Sequence, residues 1–170
     1  KHDFVFIRDS FISNQNGTAI ILRAGEISRR IENRVIKDSL KSLGMKIKEI
    51  PDQPGIRADG GEFYYCAKDK ILFCGIQRNT KMGANYVADA LNVNEMIILK
   101  GEGYHLDTFF SPCLDIDGRI AALIICKTTL SNDSKKTLHD FANAKNIPVF
   151  DIPKDDAIGT THKLGSFAAN

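Results

Sequence analysis

Acidic and cationic side chains recur at corresponding places along this sequence, and their types suit recognition of a planar cation. Asp3 and Asp9 open the first of three similar stretches, Asp59 and Glu62 the second, His105 and Asp107 the third. A cation follows further along each stretch: Arg29, Arg78 and, more loosely, Lys127. A guanidinium fits a fork of carboxylate oxygens through charge-assisted bonds of roughly twice the strength of neutral ones. Arginines at the other end suit a carboxylate. The set therefore fits a ligand with a cation at one end and an anion at the other, such as a free amino acid with a guanidino side chain.

Each residue type also has an ordinary use. Acids at strand starts form turns. Arg29 and Arg30, at a helix start, pair equally well with Glu26 or Glu32. A lone histidine in a β segment is most often structural. His105-Leu106-Asp107 stands apart, because period-two alternation puts His105 and Asp107 on one strand face and Leu106 on the other. Gly60-Gly61 reads as a backbone turn aiming Asp59 and Glu62, a use that an ordinary loop shares.

A repeated unit must position these groups. Phe4 to Ile12 and Thr18 to Leu22 are β-rich runs joined by Asn14-Gln15-Asn16-Gly17, a hairpin signal. Ser28 is expected to cap a helix whose Ile31, Val35, Ile36, Leu40 and Leu43 share one side, stopped by Gly44. Met45 to Ile50 is the closing strand, ended by Pro51. The order strand, strand, helix, strand returns as Glu62 to Ala67, Ile71 to Ile76, a helix over about 79–91 burying Met82, Tyr86 and Val87, and Glu95 to Leu99. It returns again as His105 to Ile116, Arg119 to Lys127, a helix capped near Ser131 or Asn132 carrying Leu138, Phe141 and Ala142, and Ile147 to Ile152. The modules cover about 3–51, 62–101 and 105–153, and a fourth is expected to begin about Leu164. A ββαβ unit cannot bury both faces of its small sheet alone, so neighbours must complete the core. The fold class is α/β, a ring or propeller of ββαβ modules. In a hairpin the start of the first strand lies beside the end of the second, so the acids and cations of each module reach one edge. About an axis, that edge becomes a cleft.

The 170 residues have the length of one domain, and 43 % hydrophobic with 26 % charged residues is a globular balance. No apolar run approaches the roughly 18 residues needed to span a bilayer. A net charge of +2 gives nucleic acid no electrostatic claim. Cys66, Cys74, Cys113 and Cys126 show no CxxC spacing and lie in apolar runs, which reads as reduced thiols in a cytoplasmic protein and not as a metal site. The chain lacks an initiating Met and stops at Phe167-Ala168-Ala169-Asn170 as an apolar segment begins, so a longer parent protein is expected.

The ordered set Asp3-Phe-Val-Phe-Ile-Arg-Asp9, Arg23-Ala-Gly-Glu-Ile-Ser-Arg29-Arg30, Asp59-Gly-Gly-Glu62, Arg78 before Gly83-Ala84, and His105-Leu-Asp107 resembles the guanidino-group-modifying (pentein) superfamily of α/β propellers. It is most similar to the dimethylarginine dimethylaminohydrolases, and its His-x-Asp is similar to that of the arginine deiminases and amidinotransferases. The resemblance implies five ββαβ modules around a central active site. It implies that His105 is the general acid/base and that Asp59 orients and charges it. Asp9 would grip the guanidinium with Asp3 nearby, Arg29 and Arg78 would meet the carboxylate side, and Asp107 would bind guanidinium. Glu62 completes the acid pair at the substrate site, in an order (Asp, then Glu) that departs from the family. The family's nucleophile is a cysteine near the C-terminus, which none of the four matches, so it is expected beyond residue 170. No cofactor and no metal are implied.

The resemblance thus implies a cysteine-dependent hydrolase turning arginine or a methylated arginine into citrulline plus ammonia or a methylamine. Its partners are a small guanidino substrate, the remainder of its own propeller and, as an option, a second copy in a homodimer, with no nucleic acid and no membrane. The alternatives are an amidinotransferase and a non-catalytic propeller binding module.

Overall fold

Two antiparallel strands followed by a third that pairs in parallel require a long crossover, and this chain supplies a helical one three times. The computed structural model describes residues 4–162, Gly165 and Ala169. Asp3 and the expected fourth module near Leu164 lie outside the described residues. The first module contains β1 (Phe11–Ser13), β2 (Thr18–Ile21), the short α1 (Ile27–Arg30), α2 (Glu32–Ser42) and β3 (Lys46–Glu49). The second contains β4 (Phe63–Cys66), β5 (Ile71–Gly75), α3 (Lys81–Leu91) and β6 (Glu95–Leu99). The third contains β7 (Phe110–Leu114), β8 (Ile120–Ile125), α4 (Asn132–Lys145) and β9 (Val149–Asp151), followed by α5 (Lys154–Ala157). In each sheet the middle strand pairs antiparallel with the first and parallel with the third.

The turns are built locally. Asn14 Oδ1 accepts from the backbone N–H groups of Asn16 and Thr18, and Asp115 Oδ1 accepts from those of Asp117 and Arg119, so one Asx device closes two hairpins. Thr80 and Ser131 cap α3 and α4 with their hydroxyls. Both helices end on a left-handed Asn, Asn92 and Asn146.

Several expectations are corrected. The first strands are shorter than their β-rich sequences, because 3₁₀ segments at Phe4–Ser10, Gly60–Glu62 and Leu106–Thr108 precede them. His105-Leu106-Asp107 therefore shows no strand alternation: Phe109 N–H bonds back to Leu106 O at 3.1 Å, and all three residues are buried. Glu26, not Ser28, caps the first helix, which breaks at Ile31. Of that helix's apolar residues only Ile36 and Leu40 reach the core, while Ile31, Val35 and Leu43 are exposed. In α3, Met82 is exposed and Tyr86 half-buried, because the helix docks through Gly83, Ala84, Val87, Ala88 and Leu91 instead.

The cores lie between modules. On β5, Leu72 and Cys74 pack with Ile20, Leu22 and Ile56 of the first module's side, whereas Ile71 and Phe73 pack with Leu106, Phe110 and Leu123 of the third. Period-two alternation thus serves two cores at once, and all five residues of β5 are buried. Phe73 stacks tilted against Phe110 at 4.8 Å and meets Phe141 edge-on at 5.5 Å. No described helix is long and apolar enough to cross a membrane.

The small face of α3 permits a close approach. Thr80 N–H donates to Arg57 O at 3.1 Å, and a Cβ on Gly83 would lie 2.0 Å from that same oxygen. Helix propensity alone favours Gly83→Ala by about 1 kcal/mol. Steric exclusion predicts the opposite sign, a loss of about 1–3 kcal/mol. A lowered urea midpoint at unchanged slope is expected, and a raised one would reject the close packing.

Candidate active site

The three 3₁₀ segments lean on one another and carry the polar residues inward. The bare Cα of Gly61 marks the meeting point: a Cβ there would lie 2.6 Å from His105 Nδ1 and 3.0 Å from Asp9 Oδ1. Asp9, Asp59, Glu62, His105 and Asp107 are all buried. The structure therefore brings together five of the sequence-derived candidates, from three different modules.

Burying carboxylates needs compensation, and each has its own. Glu62 is fully inaccessible, and its oxygens accept from Arg78 N–H at 2.8 Å and Leu106 N–H at 3.1 Å. It ties the second module's cation loop to the third module's histidine turn and presents no oxygen to the cavity described below. Burial pushes its acid up to about 7, against those two bonds. Asp107 pairs with the Arg8 guanidinium. Burial lifts Asp107 to about 6, and the charge of Arg8 opposes the rise. Asp59 accepts from Gly25 N–H at 3.3 Å and is raised by burial. Asp9 faces Arg29 Nη1 at 3.4 Å.

His105 is the exception. Its Nε2 is buried and has no hydrogen-bond partner among the described residues. Burial pushes the imidazole below its ordinary value, Arg78, Arg8 and Arg29 push the same way, and Asp9 pushes back. The sequence-based expectation that Asp59 keeps His105 protonated is thus corrected. Desolvation and three guanidiniums hold the ring neutral, and Asp9 is the carboxylate it feels most. A neutral imidazole with a free nitrogen accepts a proton before it can give one.

Arg8 lay outside the expected site, although its place beside Asp9 was visible. Besides Asp107 it donates to Phe63 O at 3.0 Å and lies over the Tyr64 ring at 4.6 Å, touching all three modules. Asp107 is thereby engaged by the chain's own guanidinium. Tyr104 was also missed: it is 61 % exposed, and the Arg78 guanidinium lies 3.7 Å from its ring centroid. Its position next to His105 was the available signal. Arg78, Tyr104, Gln77, Arg57 and Glu26 line a cavity of about 500 Å³, within the range of small-molecule sites.

Among the described residues, no group of histidine, cysteine and acidic side chains could hold a metal. Burial pushes the Cys66 and Cys74 thiols up to about 12, the opposite of an activated nucleophile. Cys113 sits half-buried in β7 opposite Ala122.

No protein-family model matches the sequence. Among solved structures, the chain is similar to the N-terminal domain of ArgZ bound to product, an arginine dihydrolase from the ornithine-ammonia cycle in Cyanobacteria. The TM-score is 0.75 at 19 % identity, covering 98 % of this chain and 56 % of that one. The same domain covalently bound to a reaction intermediate gives 0.76 at 20 % identity, covering 98 % and 57 %. A dimethylarginine dimethylaminohydrolase adduct with 4-chloro-2-hydroxymethylpyridine gives 0.67 at 21 % identity, covering 92 % and 57 %. The chain thus spans a little over half the length of these structures. What they share is the fold: the three ββαβ units are modules of a pentein-type α/β propeller.

Two measurements check the electrostatics. Carboxyl NMR should find Glu62 titrating near pH 7, well above its ordinary 4.5, and ring-nitrogen shifts should find His105 neutral at pH 7. Because folded Glu62 holds its proton more tightly than the unfolded chain does, its contribution to stability is complete below about 4.5 and is lost as pH rises through about 7. Glu62→Gln places an amide NH₂ against a backbone N–H, so it should cost about 1–3 kcal/mol and flatten that pH dependence. An unchanged slope between pH 5 and 7 would reject the assignment.

Proposed function

We propose that this chain belongs to a cysteine-dependent hydrolase of a guanidino compound, with L-arginine as the first candidate and methylated arginines as the second. One observation carries the reading: a buried imidazole whose Nε2 has no hydrogen-bond partner among the described residues sits against a cluster of carboxylates. A structural histidine would have its nitrogens satisfied. The likeness to arginine dihydrolases, closer in TM-score than that to the dimethylarginine enzyme, supports arginine ahead of its methylated forms.

A guanidinium is a poor electrophile because resonance spreads its charge, so the site must fix its plane and supply the attack from close by. Asp9 grips the cation. A thiol, contributed by a residue beyond Asn170, gives its proton to His105 and attacks the central carbon. The C–N bond then breaks, and the proton passes from His105 to the leaving nitrogen, releasing ammonia or a methylamine. The thiouronium left on sulfur is attacked by a water that His105 deprotonates. Loss of the thiolate, with the hydroxyl proton passing through solvent to the released amine, yields the neutral ureido product, citrulline from arginine, and the proton held by His105 returns to sulfur. Asp59 adds negative charge against the substrate's, Asp107 anchors Arg8 across the module junction, and Glu62 holds the turn that carries the histidine.

Ureido product formed from arginine by the full-length protein is the direct test. His105→Ala should lower turnover by about 10²–10⁴-fold with an unchanged thermal melt. Near-normal turnover in that variant rejects the role of His105. Product that forms only when an amine is supplied identifies an amidinotransferase, and binding without product identifies a non-catalytic module.

A further inference from the structure

The resemblance assigns the carboxylate end of a substrate to Arg29 and Arg78, yet the two arginines are placed very differently. Arg29 spends its guanidinium on the protein: Nε donates to Glu32 at 3.1 Å, Nη2 to Phe6 O at 2.9 Å, and Nη1 faces Asp9 at 3.4 Å. Its side chain is only 15 % exposed. Arg78 keeps its donors, since its guanidinium rests on the Tyr104 face with no carboxylate partner among the described residues. An aromatic face orients an arginine while leaving the N–H edge available.

A second arginine reaches the same cavity. Arg57 is exposed, lines the wall beside Arg78, and has no side-chain hydrogen bond or ion pair among the described residues. Its backbone is fixed: N–H donates to Thr80 Oγ1 at 3.0 Å, and its carbonyl accepts from Thr80 N–H at 3.1 Å. Its stem runs beside Gly25, where a Cβ would be 3.7 Å from Arg57 Cδ and 3.8 Å from Asp59 Oδ2. Arg57 thus passes Gly25, whose N–H is bonded to Asp59, and lines the cavity. The one acid in the lining is Glu26, whose Oε1 accepts from Ser28 and whose Oε2 has no partner among the described residues. Two cations and one anion leave the cavity a net positive charge, with one acceptor for an ammonium.

We infer that Arg57 is a specificity-determining residue: together with Arg78 it takes the carboxylate of a guanidino α-amino acid whose ammonium faces Glu26. This rests on the guanidino reading above and fixes the other end of the ligand.

Calorimetry on the full chain with L-arginine and with agmatine, which lacks the carboxylate, separates the two readings. Arg57→Ala should weaken arginine by roughly ten- to a hundredfold, the worth of a charge-assisted bond, and leave agmatine within twofold. Arg57→Lys should recover part of the arginine affinity. Unchanged arginine affinity in Arg57→Ala, or an equal loss for both ligands, overturns the inference while the guanidino reading stands. Failure of the unmutated chain to bind either ligand overturns both.

Discussion

Four carboxylates share a space from which most water is excluded, and the rest of the molecule is arranged to make that tolerable. Isolated buried anions are prohibitive, so each must find a donor, a counter-charge or a proton. The chain uses all three. Backbone N–H groups serve Glu62 and Asp59, guanidiniums serve Asp107 and Asp9, and burial also raises the proton affinity of Glu62, Asp59 and Asp107. Because Leu106 serves Glu62, Gly25 serves Asp59 and Arg8 serves Asp107 across module boundaries, satisfying these charges also sets how the modules sit. Glu62 cannot keep both bonds unless Arg78 and Leu106 stay where they are, and Arg8 cannot reach Asp107, Phe63 and Tyr64 unless three modules meet.

The same arrangement explains why the imidazole differs from its neighbours. Every other ionisable group in the hollow is answered by a partner, and His105 is answered by desolvation and by cations that repel its charged form. A site built this way holds a base ready for a proton while it remains attractive to a cationic ligand. Gly61 is what allows His105 and Asp9 to approach from opposite sides, since any Cβ would fall on the ring.

The module order, the first hairpin with its Asn-Gly turn and the acids that open each module were legible in the sequence, because period-two apolar runs and turn residues depend on local chemistry. What was not legible depended on long-range contacts. The segment at Phe4–Ser10 has β-rich composition, yet it turns inward because its carbonyl at Arg8 and carboxylate at Asp9 must reach the second module's glycine turn. The face of α3 differs from the expectation because large residues were expected inside, whereas the close approach of Arg57 leaves no room for a side chain at Gly83. Arg29 was open to either a ligand or Glu32 on the sequence, and its contacts with Phe6 and Asp9 besides Glu32 show that it is engaged by the protein. Arg57 sits in a loop without periodicity, so nothing local marks it.

The two-sided strand β5 carries a consequence for how the chain comes apart. Its odd-numbered side chains belong to one apolar cluster and its even-numbered ones to the other. Stripping away either flanking module would expose half of the same strand, leaving the survivor with a wetted sheet face. The repeats therefore behave less like beads on a string than like courses of masonry that share a through-stone. Disassembly is cooperative by construction, although each repeat is locally complete.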